Sequence, residues 1–179
     1  MDVISTSLDG VWKVPLRRVR DERGWFVRTF DAEQFAALGL TTIWPQHGEA
    51  HNTVAGTVRG LHFQHDPHAE AKLIRCVRGA VYDVLVDLRP GSPTYSRWEA
   101  FELDEDDETA LYAPAGFAHG YQTLRSGAAL SYLHSAPYVA KAAAGYRYDS
   151  PRLAIPWPRM PSLISQRDRN LPLFEASRG

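Results

Sequence analysis

The chain has 179 residues, 44% of them hydrophobic and 23% charged, with a formal net charge of −1. That length fits one folded domain with a sizeable core, and the near-neutral balance excludes a bulk field that would gather nucleic acid or an anionic membrane. The single cysteine, Cys76, excludes an internal disulfide and a cysteine-rich zinc centre, and it fits a reducing cytoplasmic setting.

From the N-terminus, no basic segment is followed by an apolar one, so no signal peptide is expected. Nowhere do about 18 apolar residues run together to span a bilayer. The first regular element is a short helix over 31–38, with Asp31 as its cap and Gln34 three residues on, as in a capping box. Residues 72–88, KLIRCVRGAVYDVLVDL, read as two strands around an Arg78–Gly79 turn. Alternation in the second strand puts Tyr82, Val84, Val86 and Leu88 on one face, with Asp83, Leu85 and Asp87 on the other. Further strands are expected around 95–102, 109–113, 119–124 and 128–134, each bounded by Gly, Pro, Ser or Asp. Many short strands so punctuated predict an all-β sandwich, jelly roll or barrel. The acidic run Asp104–Glu108 reads as a solvated turn. A Pro-rich tail from 151 to 179 cannot pair as a central strand and is expected to wrap the surface of a single domain, 1–179.

Four of the seven histidines fall within residues 51–68, HNTVAGTVRGLHFQHDPH. His62, His65 and His68 recur every third residue. A strand brings two rings to one face only at a spacing of two, so this spacing argues against a metal centre and no metal ligand is assigned. Asp66–Pro67 reads as a turn that leaves His65 and His68 exposed. His62 differs, because alternation sets it with Gln64 on one face, against Leu61 and Phe63 on the other. A lone strand histidine is more often structural than catalytic. Here Arg59 and Lys72 stand close in sequence, and a pocket holding two cations and an imidazole suits an anionic substrate. On the residues alone, Tyr132 reads as a core aromatic, Asp168 as a surface charge between Arg167 and Arg169, and His119 as the end of a strand.

A set of motifs runs in order along the chain: DERG at 21–24, GTVRGLHFQ at 56–64, KLIRC at 72–76, YDVLVDLR at 82–89 and SPTY at 92–95. PAGFAHG at 114–120, Tyr132 with Tyr138, DSP at 149–151, IPWP at 155–158 and SQRD at 165–168 complete it. Together they resemble the dTDP-4-dehydrorhamnose 3,5-epimerase family over nearly the whole length. The resemblance implies a cupin-like jelly roll with a few short helices, working as a homodimer without metal or other cofactor on a nucleoside-diphosphate 4-keto-6-deoxy sugar.

It also implies roles. His62 is the base, held in its productive tautomer by Asp168. Tyr132 is the acid on the other face of the sugar, and Lys72 lies near the C4 oxygen. His119 lies near the pyrophosphate or the nucleobase. Arg59 and Arg23 grip phosphate, with Arg23 supplied across the dimer by the N-terminal residues. Phe26, Arg28, Gln46, Asn52, Tyr138 and Arg167 complete the substrate-binding set, Tyr138 as a stacking ring for the base. These residue types suit inversion beside a ketone: one group removes a C–H proton, another returns one to the opposite face, and a cation steadies the enolate.

The chain departs from the family pattern at Arg28, at Ala142 to Ala144, at Arg167 and in the stretch from Ala50 to Asn52, all in regions tied to recognition. Two other classes fit the residues less well. A metal-dependent cupin enzyme conflicts with the histidine spacing. A non-catalytic sugar-nucleotide-binding protein conflicts with the retained His62, Tyr132, Lys72 and Asp168.

Overall fold

A computed structural model of the chain describes residues 3–175. It contains fourteen strands and two short helices among those residues: β1 (Ile4–Ser5), β2 (Trp12–Pro15), β3 (Arg18–Asp21), β4 (Gly24–Val27), α1 (Ala32–Ala37), β5 (Gln46–His51), β6 (Thr57–Gln64), β7 (Lys72–Arg78), β8 (Ala80–Asp87), β9 (Trp98–Asp104), β10 (Thr109–Ala113), β11 (Phe117–Thr123), β12 (Ala129–His134), β13 (Ala143–Gly145), β14 (Leu163–Ile164) and α2 (Gln166–Arg169). One sheet runs β1-β2-β10-β7-β12-β5 and the other β13-β6-β11-β8-β9, with β14 beside β6. Strands β3 and β4 form a separate hairpin. This is the jelly roll that the motifs imply.

The expected turn at Arg78–Gly79 carries the chain from one sheet to the other, from β7 into β8, and does not close a hairpin. Gly79 stands at φ 70°, where only glycine turns freely, and a Cβ there would lie 3.1 Å from Ala128 Cα. The two faces of β8 then do different work. Val81 and Leu85 join Ile74, Cys76, Leu111 and Leu130 in the core between the sheets. Tyr82, Val84, Val86 and Leu88 face outward against Leu153, Ile155, Trp157 and Phe174. The outer face of the other sheet is covered by Phe35 of α1 together with Phe30 and Trp44. Asp31 caps α1 as expected, accepting from the Gln34 amide at 3.1 Å. Burying both faces of each sheet is what gives a domain of this size its stability.

Two boundaries differ from the sequence expectation. The strand expected from 95 begins at Trp98, because Ser92 and Thr94 instead turn their hydroxyls onto the buried Asp87 carboxylate, at 2.5 and 2.6 Å. Within the tail, Leu163 and Ile164 do pair, in parallel, with Thr57 and Val58 of β6. Two residues at the open flank of one strand need no proline-free run. The acidic turn at 104–108 is not bare: Arg18, Arg20 and Arg125 pair with Asp106, Glu108 and Asp104.

Candidate active site

The space between the sheets is apolar at one end and polar at the other, and single strands pass through both. On β7, Ile74 and Cys76 belong to the core while Lys72, two residues earlier on the same face, lines an open cavity of about 360 Å³. On β12, Leu130 is in the core, Tyr132 packs against it, and both Tyr132 and His134 line the cavity. His62 and Gln64 enter from β6, His119 and Tyr121 from β11, and Arg167 from α2. Period-two alternation thus carries one interior face from hydrocarbon into chemistry. The volume falls in the range of small-ligand sites.

Close approach of β6 and β11 sets the two histidines. A Cβ on Gly60, at φ 105°, would lie 2.6 Å from both Gly120 Cα and His119 O. No side chain fits there, so the strands press together and His62 faces His119 in register. His62 Nε2 lies 2.8 Å from Asp168 Oδ1. Asp168 comes from α2, whose Ser165 cap accepts from the Asp168 amide. Burial alone would raise the Asp168 pKa, but the hydrogen bond and charge of His62 and the Gly60 amide outweigh it and hold the carboxyl below its usual range. An ionised carboxylate only accepts, so Nε2 carries the ring proton and Nδ1 keeps its lone pair. His119 repeats the arrangement with Asp83, Nε2 to Oδ2 at 2.7 Å.

Tyr132 keeps its proton. Burial, with the neighbouring Tyr121 and Asp83, pushes the phenol well above its ordinary value. His134 is pushed the other way, down to about 4, by burial and the charge of Lys72. Lys72 is not a bare cation: its Nζ lies 2.8 Å from Glu70 Oε1, both side chains being buried. Gln64 donates to the second Glu70 oxygen at 2.8 Å. One of three ammonium donors is thereby used.

The structure brings together His62, Tyr132, Asp168, Lys72, Arg59, His119, Tyr138 and Arg167 at this cavity. Two other expected residues stand behind its wall. Asn52 is buried and accepts from Arg59 Nε at 2.8 Å, which aims the guanidinium. Gln46 accepts from the Tyr138 amide at 2.8 Å and so anchors the segment bearing that ring. Arg23, Phe26 and Arg28 are elsewhere. They lie on or beside the exposed β3–β4 hairpin, with Arg23 paired to Asp21 and Arg28 to Asp31. His65 is exposed and His68 half-buried, at the Asp66–Pro67 turn and outside this cavity. Ala143, Ala144 and Arg167, where the chain departs from the family pattern, line the cavity itself.

Sequence reasoning missed His134, Glu70, Asp83 and Tyr121. His134 follows Tyr132 by two residues, a spacing that alone puts both side chains on one strand face. Asp83 stands out as one of two carboxylates, with Asp87, on the strand face that carries Leu85. Tyr121 follows His119 at the same spacing on β11, whereas nothing local ties Glu70 to Lys72.

Residues 5–176 match the family described as dTDP-4-dehydrorhamnose 3,5-epimerase. A protein of that name from Sinorhizobium fredii is 42% identical over 173 residues, covering 94% of this chain and 87% of the relative. A dTDP-4-dehydrorhamnose 3-epimerase from Streptomyces niveus is 39% identical, covering 96% and 83%. The crystal structure of the Bacillus anthracis dTDP-4-dehydrorhamnose 3,5-epimerase with TDP and PPi bound superposes with a TM-score of 0.93 at 38% identity, covering 97% of this chain and 99% of that one. The chain belongs to the dTDP-4-dehydrorhamnose 3,5-epimerase family.

Proposed function

We propose that the protein inverts C3, C5 or both of a dTDP-linked 4-keto-6-deoxy sugar by removing and returning a proton beside the ketone. One observation carries this reading: an imidazole fixed from behind by a carboxylate at 2.8 Å opens onto the same cavity as a protonated phenol and a lysine. His62 Nδ1 takes the C–H proton, and the electron pair moves onto the C4 oxygen. Lys72 faces that oxygen with the donors Glu70 leaves unused, and Tyr132 delivers a proton to the opposite face of the carbon. His62 then releases its added proton to water, and the Tyr132 phenolate takes one back. Each step needs only the side chains named, positioned as general base, general acid and oxyanion donor.

Arg59 and Arg167 suit the diphosphate, since guanidinium binds phosphate oxygens in pairs. Tyr138, 59% exposed at the rim, offers a face for the base to stack on. The β3–β4 hairpin exposes Val19, Trp25 and Phe26, with the Arg18 guanidinium stacked on the Trp25 ring. A homodimer in which this hairpin delivers Arg23, Phe26 and Arg28 to the partner's cavity would cover that apolar surface. No described helix is long and apolar enough to cross a membrane. Cys76, with its thiol pushed up to about 11 by burial, needs no oxidising compartment, in keeping with a cytoplasmic site of action.

The relatives include proteins named for both 3,5- and 3-epimerisation, and the departures at Ala143, Ala144 and Arg167 bear on which sugar is held. The deciding experiment is proton NMR in D₂O without added metal, over a panel of thymidine- and cytidine-linked 4-keto-6-deoxy sugars. Deuterium should enter C3, C5 or both of the thymidine-linked members. No exchange with any member would sink the epimerase reading.

A further inference from the structure

Strand β12 carries a second polar ring into the cavity, which the chemistry above leaves unused. Leu130, Tyr132 and His134 leave the same face of the strand, so His134 continues the wall that Tyr132 begins. The two rings stack, with centroids 5.6 Å apart and planes at 26°. Across the ladder, Tyr132 faces Ile74 and His134 faces Lys72. Side chains directly opposite in an antiparallel pair are neighbours on one face. His134 therefore stands beside the ammonium assigned to the carbonyl oxygen. Neither of its ring nitrogens has a hydrogen-bond partner among the described residues, whereas His62 and His119 are each tied to a carboxylate. The charged and titratable groups around it are Lys72, Glu70, His119 and His47, with the Tyr132 phenol stacked on its ring.

We infer that His134 is a second hydrogen-bond donor to the C4 oxygen, acting beside Lys72 as that oxygen gains enolate charge. The inference rests on the epimerase reading and deepens it. The need arises from Glu70: an ammonium already bound to a carboxylate presents the developing oxyanion with a nearly neutral pair. A donor that is itself neutral adds stabilisation without another buried charge. With its pKa down to about 4, His134 carries one N–H and one lone pair throughout the physiological range. Neutral imidazole is also too weak an acid to give up that proton, so it polarises the carbonyl and stays a donor. The C–H proton still passes to His62, and no proton leaves His134.

Two variants test this. His134→Phe keeps a ring against Tyr132 and removes the N–H, whereas His134→Gln supplies an amide N–H in its place. Deuterium exchange into a dTDP-linked 4-keto-6-deoxyhexose gives kcat and KM, and calorimetry with dTDP alone gives affinity for the nucleotide. His134→Phe should lower kcat about 10²-fold, the usual effect of losing one oxyanion donor. dTDP affinity should hold, and His134→Gln should recover about tenfold of the loss. Because the group does not titrate near neutrality, the pH–rate profile should keep its shape from parent to His134→Phe. The inference is overturned if both variants keep the parent kcat, if both lose it equally, or if dTDP binding falls with kcat. An active parent with unimpaired variants removes only the role of His134, whereas a parent without exchange removes the epimerase reading.

Discussion

The cavity contains the same interaction twice, in two settings. His62–Asp168 and His119–Asp83 are imidazole–carboxylate pairs of 2.8 and 2.7 Å, on neighbouring strands and in mutual register. In the first, the ring is 40% exposed and the carboxylate 5%; in the second, the values are 8% and 0%. Asp168 also accepts from the Gly60 amide at 3.1 Å, while Asp83 Oδ1 is buried without a partner among the described residues. The difference separates two kinds of histidine. A ring braced at its back and open at its front can take up a proton from a ligand and release it to water. A ring enclosed on nearly all sides acts as a fixed dipole, and its carboxylate adds a negative field that helps keep Tyr132 protonated.

If this contrast is right, the largest effects belong to the open pair and the phenol opposite it. His62→Asn should remove deuterium exchange and epimerisation together, by about 10²–10⁴-fold or more in kcat, with dTDP affinity retained. Tyr132→Phe should behave differently. His62 can still remove a proton and return a deuteron to the same face, so exchange should persist while net inversion falls by about 10²–10⁴-fold. NMR reports both quantities in one sample. Equal loss of exchange and inversion in Tyr132→Phe would end the assignment of base and acid to opposite faces.

Next come the two carboxylates. Asp168→Asn keeps the shape but presents an amide to Nε2, which can favour the wrong tautomer and no longer steadies an imidazolium; kcat should fall by about 10²-fold. Asp83→Asn removes a fully buried charge from a place with one unmet oxygen. Its main effect should be on the melting temperature, and kcat should stay within about tenfold of the parent. Should Asp83→Asn cost as much kcat as Asp168→Asn, the distinction between an open and an enclosed histidine would fail.

The first pair was far more legible than the second. Alternation alone put His62 and Gln64 on one face, and both line the cavity. It also put Asp83 opposite Tyr82 and Val84, yet no local signal tied that carboxylate to His119, because their contact joins β8 and β11 across 36 residues. Asp168 is 106 residues from His62 and sits in a four-residue helix between two arginines. Only the SQRD motif, taken with the others in register, distinguished it from a surface charge. Strand existence and the Asp31 cap followed from short-range rules. The placing of β7 and β8 in different sheets depended on which faces found partners, and that is a property of the whole chain. Glu70 shows the same limit from the other side: the sequence presents Lys72 as a cation, and its pairing with Glu70 declares itself only in the folded chain.

The smallest expected effect is on acid stability, and its sign discriminates. Asp168 has a folded-state pKa below its ordinary value of 3.8, since the contacts from His62 and Gly60 outweigh its burial. Above the ordinary value the carboxyl is ionised in both folded and unfolded chains, and the full stabilisation is present. As the pH falls below it, the unfolded chain binds the proton first, so stability drops until the folded carboxyl is protonated too. Asn at this position does not titrate. The gap in melting temperature between parent and Asp168→Asn should therefore be widest near neutrality and should narrow steadily once the pH passes below about 4. A gap that stays constant into acid would mean that the Asp168 carboxylate owes its hold on His62 to shape alone, and the charge would then have to be dropped from the account of how the base is poised.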